Sequence, residues 1–148
     1  EAKGAKVVEE AMKIVSKAIP SAKLITAGSS GKWLDREGMK RTFAESDLVL
    51  VPSLYLDAFP RIVLEAMAIG IPVVGTCFGG APEAIVDGVT GCVVNPFNIK
   101  EMAEKIISLL ENPPKCREFG LAARERIETN FNLDDRIDKL VKIYEGLS

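Results

Sequence analysis

The residues best able to do chemistry are two carboxylates, Asp57 and Glu65, in the stretch DAFPRIVLEAMAIG. They lie on either side of Pro60, and proline suits the first position of a helix because the N–H group that it lacks would have no intrahelical partner there. The sequence therefore predicts a helix that opens at Pro60 and ends at Gly70. Taken alone, two acids at this spacing are most often a loop acid and a first-turn acid that favours the helix dipole.

The start of this helix is suited to a phosphate group. The N–H groups of Arg61, Ile62 and Val63 point outward there, with the positive end of the helix dipole behind them. Glu65 lies about a turn and a half inside the helix, among apolar residues, where an exposed acid is less expected. Its carboxylate would repel phosphate but can accept hydrogen bonds from two adjacent hydroxyls. A phosphate beside a diol describes a nucleotide sugar.

Short apolar strands alternate with helices along the chain, which predicts a parallel, doubly wound α/β sheet with right-handed crossovers. The predicted strands are KLITAG, DLVLVPS, IPVVGT and GCVVNP, and the second is apolar on both faces, as in buried parallel sheets. Three further helices are predicted in the first part of the chain: one that ends at Pro20, one that is capped by Asp35 and runs to about Glu45, and a short one that ends at Gly88. Asn98 with Glu101 caps a fourth, which runs to about Glu111. After a break at Pro113 and Pro114, two more helices are predicted at roughly 115–129 and 133–146.

In a sheet of this kind, ligands bind at the carboxyl ends of the strands, at a switch point. The predicted loops at that edge are AGSSGKW, PSLYLDAFP and TCFGGAPE. The last of them contains Gly79 and Gly80, which allow the backbone to approach a ligand closely. We therefore expect the glycine loop to lie near the same ligand as the two carboxylates.

The composition fits one globular domain, with 148 residues of which 47% are hydrophobic and 27% are charged. A net charge of −2 argues against nucleic acid as the partner. No apolar run is long enough to span a membrane, so membrane association would come only through parts outside this sequence. The sequence begins at Glu1 without a methionine, and we expect a fragment of a longer, cytoplasmic protein.

The reactive side chains exclude several classes of enzyme. The chain has no histidine, which excludes a Ser-His-Asp or Cys-His triad within it and argues against a transition-metal site. The cysteines, Cys77, Cys92 and Cys116, are odd in number and widely spaced, so neither a disulfide framework nor a zinc site fits. We expect three ordinary thiols in a reducing cytosol.

The central stretch resembles the signature of glycosyltransferase family 4, within group 1. The family pattern runs P-S, E-x-F-G, L-E-A-M-A-x-G-x-P-V, G-G-x-x-E and D-G-x-x-G, and PSLYLDAFPRIVLEAMAIGIPVVGTCFGGAPEAIVDGVTG matches nearly all of it in order. The likeness extends to Lys3 with Gly4 and to the terminal helices. It implies the Rossmann-like, donor-binding carboxyl-terminal half of a GT-B enzyme, with residues 1–148 as one incomplete domain and 130–148 as its terminal helix.

The resemblance also implies a role for each matching residue. Glu65 would hold the ribose hydroxyls, Asp57 the hydroxyls of the transferred sugar, and Lys3 the charge of the diphosphate. Leu34 falls where the family contacts the base, and the loop amides after Phe59 are expected at the diphosphate or the sugar. Asp57 and Lys3 are thus the catalytic candidates. The donor-binding candidates are Leu34, Phe59, Pro60, Arg61, Ile62, Val63, Glu65, Gly79 and Gly80.

Two site positions depart from the family pattern. Asp57 replaces the usual glutamate and is one methylene shorter, which weakens its contact with the donor sugar or implies a different sugar. Pro60 replaces the usual glycine, which removes one donor N–H and stiffens the loop. We therefore expect a loop with one hydrogen bond fewer to the donor.

The chain is also shorter than the resemblance requires. Only SSGKW lies between KLITAG and the helix capped by Asp35, which is too short for the family's helix and strand, and the strand expected before Lys3 is absent. In the usual strand order this leaves a gap or an exposed edge. Either the real molecule has residues that this sequence lacks, or the sheet is rearranged, or another chain fills the space.

The resemblance implies the donor-binding half of a retaining glycosyltransferase, which takes a nucleoside diphosphate sugar and an unidentified acceptor. No cofactor and no obligatory metal are expected, because the lysine and the helix amides would meet the diphosphate charge. The partner would be an amino-terminal acceptor domain or another chain, without which we expect poor catalysis, and an exposed sheet edge would allow a homo-oligomer. The alternative is a non-catalytic α/β module for nucleotide-sugar binding or assembly. An epimerase of the GT-B fold fits less well, since its chemistry would need histidines and further acids.

Overall fold

The structure is a computed structural model and describes residues 4–28, 33–56 and 58–146. The elements alternate much as the sequence predicts. In chain order they are α1 (Ala5–Ala18), α2 (Arg36–Ala44), β1 (Val49–Val51), α3 (Arg61–Ala68), β2 (Val73–Thr76), α4 (Ala81–Ala84), β3 (Gly91–Val94), α5 (Ile99–Leu110), α6 (Pro113–Asn130) and α7 (Leu133–Glu145). No described helix is long and apolar enough to cross a bilayer.

The three strands form one parallel sheet in the order β1-β2-β3. Val49 pairs with Val73, and Val73 pairs with Gly91. Each strand is joined to the next by a helix, α3 or α4, as parallel pairing requires. The α/β class with a parallel sheet is therefore confirmed, in a shortened form.

The core has two halves, one on each face of the sheet. Successive residues of β2 point to opposite faces, so that Val74 packs against α1 and α5 while Val73 packs against α3 and α4. Helix α6 contributes to both halves, through Phe119 on one side and Ala123 on the other. Because both faces are covered, the strands are apolar throughout, which explains the runs seen in the sequence.

The segment KLITAG is not a strand, contrary to the sequence-based prediction. In this segment only Ala27 takes part in an isolated bridge, and Leu24 and Ile25 are 41% and 52% exposed. The segment lines a cavity that it shares with β1, and among the described residues β1 pairs with β2 alone. A strand is stabilised by hydrogen bonds to a neighbouring strand, and among the described residues this segment has no neighbouring ladder. Within the described part of the chain, β1 is thus an edge of the three-stranded sheet.

The predicted caps are present. The Asp35 side chain accepts a hydrogen bond from the Gly38 N–H at 2.7 Å and starts α2. Asn98 accepts from the Glu101 N–H at 3.2 Å, while its own amide donates to the Glu101 carboxylate at 3.0 Å, and together they start α5. These side chains satisfy N–H groups that otherwise have no intrahelical partner.

We expect that replacing Asp35 with alanine lowers the free energy of unfolding by about 1 kcal/mol, because the helix start loses its acceptor. Asp35→Asn is the matched control, since asparagine caps about as well as aspartate. Urea denaturation of both variants measures the difference. Equal stability of the two variants would contradict the assigned cap.

Two sequence-based boundaries are wrong. Pro113 and Pro114 do not break the chain but occupy the first turn of α6, where a missing N–H has no consequence, and Asn112 caps this helix through the Lys115 N–H. The helix predicted to end at Gly88 ends at Ala84. The residues after it form a turn in which Gly88 has φ +74°, a conformation that other residues rarely adopt.

The helices α3 and α6 meet through two glycines. A side chain at Gly120 would overlap the backbone carbonyl of Gly70, which follows α3 and has φ +79°. The two backbones can therefore touch only because Gly120 has no Cβ atom. This contact fixes α6 against the helix that carries most of the candidate site.

The last helix, α7, has no buried residue. Its apolar residues are exposed, including Leu133 at 70% and Tyr144 at 67%. Its start is nevertheless ordered by a cap, in which Asn132 accepts a hydrogen bond from the Asp134 N–H at 2.9 Å. The predicted terminal helix is thus present, at the surface of the molecule.

Candidate functional site

Two of the predicted residues, Lys3 and Asp57, lie outside the described residues. Both catalytic candidates therefore stay predictions. Their sequence neighbours Gly4 and Ala58 are described, and they show which elements adjoin these positions in the chain.

The start of α3 differs from the prediction by one residue. Pro60 is the N-cap, with φ −73° and ψ 107°, and the first helical residue is Arg61. The Val63 N–H donates to the Pro60 carbonyl at 3.0 Å, so it is taken within the helix. Among the described residues, the N–H groups of Arg61 and Ile62 have no recorded acceptor. Within the described part of the chain, two of the three predicted donors are thus available to a ligand.

The start of α1 lies against the end of β1. Gly4 is the N-cap of α1, with φ 71°, and its carbonyl accepts hydrogen bonds from the N–H groups of Val7 and Val8. A side chain at Gly4 would overlap the carbonyl oxygen of Pro52, just beyond β1. Only glycine meets both requirements, the positive φ and the close approach. This residue therefore seats the positive end of α1 at the carboxyl edge of the sheet.

The starts of α1 and α3 line one cavity of about 330 Å³. Ala5 of α1 and Ile62 of α3 face it, together with Ser53 and Tyr55 from the loop after β1. Two helix N-termini that border one space favour an anion more than either does alone. Glu9 of α1 also lines the cavity, and its negative charge opposes the binding of an anion on that side.

Glu65 lies in a separate groove between α2 and α3. It is exposed, contrary to the expectation from its apolar sequence neighbours, and its carboxylate has no hydrogen bond or ion pair among the described residues. The groove has a volume of about 820 Å³. It is lined by Arg36, Met39, Lys40, Phe43, Ala44, Ser46, Glu65, Ala68, Ile69 and Ile71. The structure therefore places the candidate anion cavity and the Glu65 carboxylate on the same helix but in different depressions.

Leu34 lies at the start of α2, immediately before the capping Asp35. It is half-buried and would be 3.3 Å from a side chain placed on Gly38. Arg36, two residues further along the chain, lines the groove that contains Glu65. The contact of Leu34 with a base stays a prediction.

The glycine loop touches the loop before α3. A side chain at Gly80 would overlap the carbonyl oxygen of Ala58 and lie 2.9 Å from the ring of Phe59. Gly79 has φ +69°, which the loop needs in order to turn after β2. The structure thus brings Gly80 close to Phe59, while the approach of this loop to a ligand stays a prediction.

One buried hydrogen bond at this edge was not predicted. The Thr76 hydroxyl donates to the Ser53 carbonyl at 2.7 Å, and both residues are buried. It joins the ends of β1 and β2, from which the two ligand-side loops depart. A threonine at the end of an otherwise apolar strand is the sequence signal that could have indicated this bond.

The cysteines fit a structural role. Cys77 is exposed, Cys92 is buried and Cys116 is half-buried. Burial raises the pKa of the Cys92 and Cys116 thiols, which disfavours the reactive thiolate. Cys116 is also close enough to donate to the Asp47 carbonyl, at 3.3 Å. Among the described residues, no group of histidine, cysteine, aspartate and glutamate side chains is arranged to hold a metal ion.

The parallel sheet, with helix starts and a glycine loop at its carboxyl edge, defines a Rossmann-like α/β domain. Residues 31–126 match the family described as Glycosyl transferases group 1. Because this match covers more than half of the sequence, the chain belongs to the group 1 glycosyltransferases.

Known relatives are consistent with this assignment. The sucrose synthase of Thermosynechococcus vestitus is 36% identical over 111 residues, which cover 70% of this chain and 14% of that protein. The chain spans less than a third of the length of the first curated relatives it matches.

Solved structures share the fold. A glycosyltransferase from Rickettsia africae superposes with a TM-score of 0.85 at 23% identity, covering 99% of this chain and 45% of that one. Anabaena HepE, solved in complex with UDP, superposes with a TM-score of 0.70 at 27% identity, covering 75% of this chain and 30% of that one. The chain therefore has the fold of a shortened half of a GT-B glycosyltransferase.

Proposed function

We propose that this chain is the donor-binding half of a retaining glycosyltransferase of family 4 and binds a nucleoside diphosphate sugar. One observation carries the proposal: the N-termini of α1 and α3 line a single cavity at the carboxyl edge of β1, and α3 also carries Glu65, whose carboxylate has no partner among the described residues. The cavity favours phosphate and the carboxylate favours hydroxyls, so one ligand with both groups accounts for the arrangement.

The diphosphate would lie in the cavity and accept hydrogen bonds from the N–H groups of Arg61 and Ile62. Glu65 would accept hydrogen bonds from the ribose hydroxyls, and the base would contact Leu34 at the start of α2. Gly79 and Gly80 would allow the backbone to approach the diphosphate or the sugar closely.

Catalysis would consist mainly of stabilising the leaving diphosphate. Positive helix ends at the developing charge act in this way without a metal ion, and no cofactor is part of the proposal. Lys3, which precedes Gly4 in the sequence, would add a full positive charge, and Asp57 would hold hydroxyls of the transferred sugar. The acceptor would bind an amino-terminal domain or another chain. A cytoplasmic location remains part of the proposal.

Two comparisons support this proposal. The chain belongs to the group 1 glycosyltransferases, and HepE, which has the same fold, was solved with UDP. The 36% identity to a sucrose synthase covers 70% of this chain.

Isothermal titration of the chain with UDP, GDP and ADP tests donor binding. We expect one of the three to bind, and the corresponding nucleoside without phosphate to bind at least about tenfold more weakly, because the helix N-termini contact only the diphosphate. Circular dichroism of the same sample confirms that it is folded. Failure of all three diphosphates to bind a folded sample would contradict the proposal.

A second candidate function is a non-catalytic binding module. The observation that favours it is the edge of β1, which is available for pairing with another strand in the described part of the chain. This module would bind the nucleotide sugar without transferring the sugar. Sugar transfer by the chain when it is joined to an acceptor domain would exclude this alternative.

A further inference from the structure

A cluster of aromatic and arginine side chains lies between α6 and α7, and we call it the hinge cluster: Arg126, Phe131 and Arg136. The Arg126 guanidinium donates two hydrogen bonds, from Nε to the Ala84 carbonyl at 2.7 Å and from Nη2 to the Glu83 carbonyl at 2.9 Å. These carbonyls end α4, a helix of a single turn. The last carbonyls of a helix have no intrahelical donor, so Arg126 supplies the donors that this short helix lacks.

The ring of Phe131 is the centre of the cluster. The guanidinium of Arg126 lies 5.6 Å from the ring centroid, and that of Arg136 lies 5.3 Å from it. Arg136 also donates from Nη2 to the Asn130 carbonyl at 3.0 Å, which fixes its position. Each cation is within the range of a cation–π contact, so the ring is held by both arginines.

The same ring contacts the loop before α3. The centroids of Phe131 and Phe59 are 5.8 Å apart, and the ring planes are inclined by 35°. Phe59 in turn packs against Gly80, where a side chain would lie 2.9 Å from its ring. The hinge cluster thus holds Phe59 through a ring contact, and it holds the far end of the glycine loop through Arg126 and α4.

The hydrogen bonds of Arg126 differ from those of an ordinary surface arginine. Arg124, on the same helix, makes only an exposed pair with Glu128, and such pairs contribute little to stability. Arg126 instead donates in a fork to two backbone carbonyls that are more than 40 positions away in the sequence. A lysine cannot reproduce that fork, because its ammonium group is a single point of donation.

We propose that Arg126 and Phe131 are positioning residues, which hold the loop before α3 and the glycine loop in the relative arrangement that binds the diphosphate. This inference deepens the proposed function and rests on it for the identity of the ligand. The two residues act through the loops and do not themselves touch the donor. They lie beyond the signature motif of the family, Arg126 in the last turns of α6 and Phe131 at its C-terminal cap.

The test compares Arg126→Ala, Arg126→Lys and Phe131→Leu with Arg124→Ala, which removes an arginine from the same helix without touching the loops. Hydrogen exchange of the ligand-free chain reports the order of residues 77–84, and calorimetry with the nucleoside diphosphate that binds the wild type reports affinity. We expect Arg126→Ala to speed exchange in 77–84 and to weaken binding by about tenfold or more, a loss of about 1.4 kcal/mol. Arg126→Lys should recover only part of that loss, and Arg124→Ala should change affinity by less than about twofold.

A merely structural role gives a different pattern. Exchange would then rise equally in β2, β3 and residues 77–84, or affinity would stay at the wild-type value despite a lower melting temperature, and either result overturns the inference. If Arg126→Ala does not fold, hydrogen exchange and calorimetry of Arg126→Lys and Phe131→Leu test the inference instead. If the wild-type chain binds no nucleoside diphosphate, the proposed function fails. The exchange of residues 77–84 still shows whether the hinge cluster orders the loops.

Discussion

Replacing Glu65 with glutamine is expected to weaken nucleoside diphosphate binding by about 10- to 100-fold, a loss of roughly 1.4 to 2.7 kcal/mol. The carboxylate can accept hydrogen bonds from both ribose hydroxyls, and bonds to a charged acceptor are the stronger kind. Glutamine has the same shape but replaces one acceptor with a donor. Because Glu65 is exposed and has no recorded partner in the described part of the chain, the free energy of unfolding should not change. Calorimetry at a temperature well below unfolding measures the effect.

A pair of ligands makes this prediction specific. A nucleoside diphosphate that lacks the 2′ and 3′ hydroxyls should bind wild type and Glu65→Gln equally, because the interaction that the substitution removes is already missing. Glu118→Gln provides the control protein, since Glu118 is an exposed glutamate of α6. An equal loss of affinity for both ligands would assign Glu65 a role other than binding the hydroxyls. Unchanged affinity for both ligands would mean that Glu65 is not part of the binding site.

Replacing Gly120 with alanine is expected to lower the free energy of unfolding by roughly 2 kcal/mol and the melting temperature by roughly 5 °C or more. The new Cβ atom would overlap the Gly70 carbonyl oxygen, and both groups belong to the backbone, so no side-chain rotation can relieve the overlap. Alanine in a helix is favoured over glycine by up to about 1 kcal/mol, which offsets only part of this. Helices α3 and α6 would have to separate, which exposes part of the second core half.

The control for this substitution is Gly146→Ala, at the end of α7. There φ is −78° and the nearest atom to a new Cβ would be 3.4 Å away, an ordinary contact distance. We expect a change within about 0.5 kcal/mol, as for surface substitutions in general. Thermal unfolding of both variants measures the difference. Comparable melting temperatures would mean that α3 and α6 do not depend on the glycine contact.

Much of the fold could be predicted because local signals and the tertiary structure agree. Strands β2 and β3 are buried on both faces, and their apolar runs are visible in the sequence. The caps Asp35 and Asn98 identify helix starts through side-chain chemistry that acts within one turn. Such features need no knowledge of the rest of the chain.

The sequence-based predictions are wrong where the local structure depends on residues that are distant in the sequence. The segment KLITAG has the composition of a strand, but strand formation depends on a neighbour, and composition cannot supply one. The predicted start of α3 was wrong by one residue, because Pro60 is the N-cap and not the first helical residue. Its backbone carbonyl accepts a hydrogen bond from the Val63 N–H. One candidate donor is lost through a backbone bond that spacing does not reveal.

The candidate site was predicted unevenly. The helix start and the glycine loop were identified, because proline and glycine have distinctive backbone preferences. Arg126 and Phe131 were not, because no spacing rule connects α6 with loops more than 40 positions earlier in the chain. The exposure of Glu65 was also missed, since it depends on how α2 packs against α3.

The exposure of α7 has a consequence for how the molecule opens. A helix of 13 residues is near the shortest length that persists in water without packing. Since α7 buries none of its residues, we expect its amide hydrogens to exchange through local opening, and those of β2 and α5 to exchange only when the core opens. We therefore expect a cooperative core followed by a helix that opens more readily, with the contact between Arg136 and the Phe131 ring joining the two.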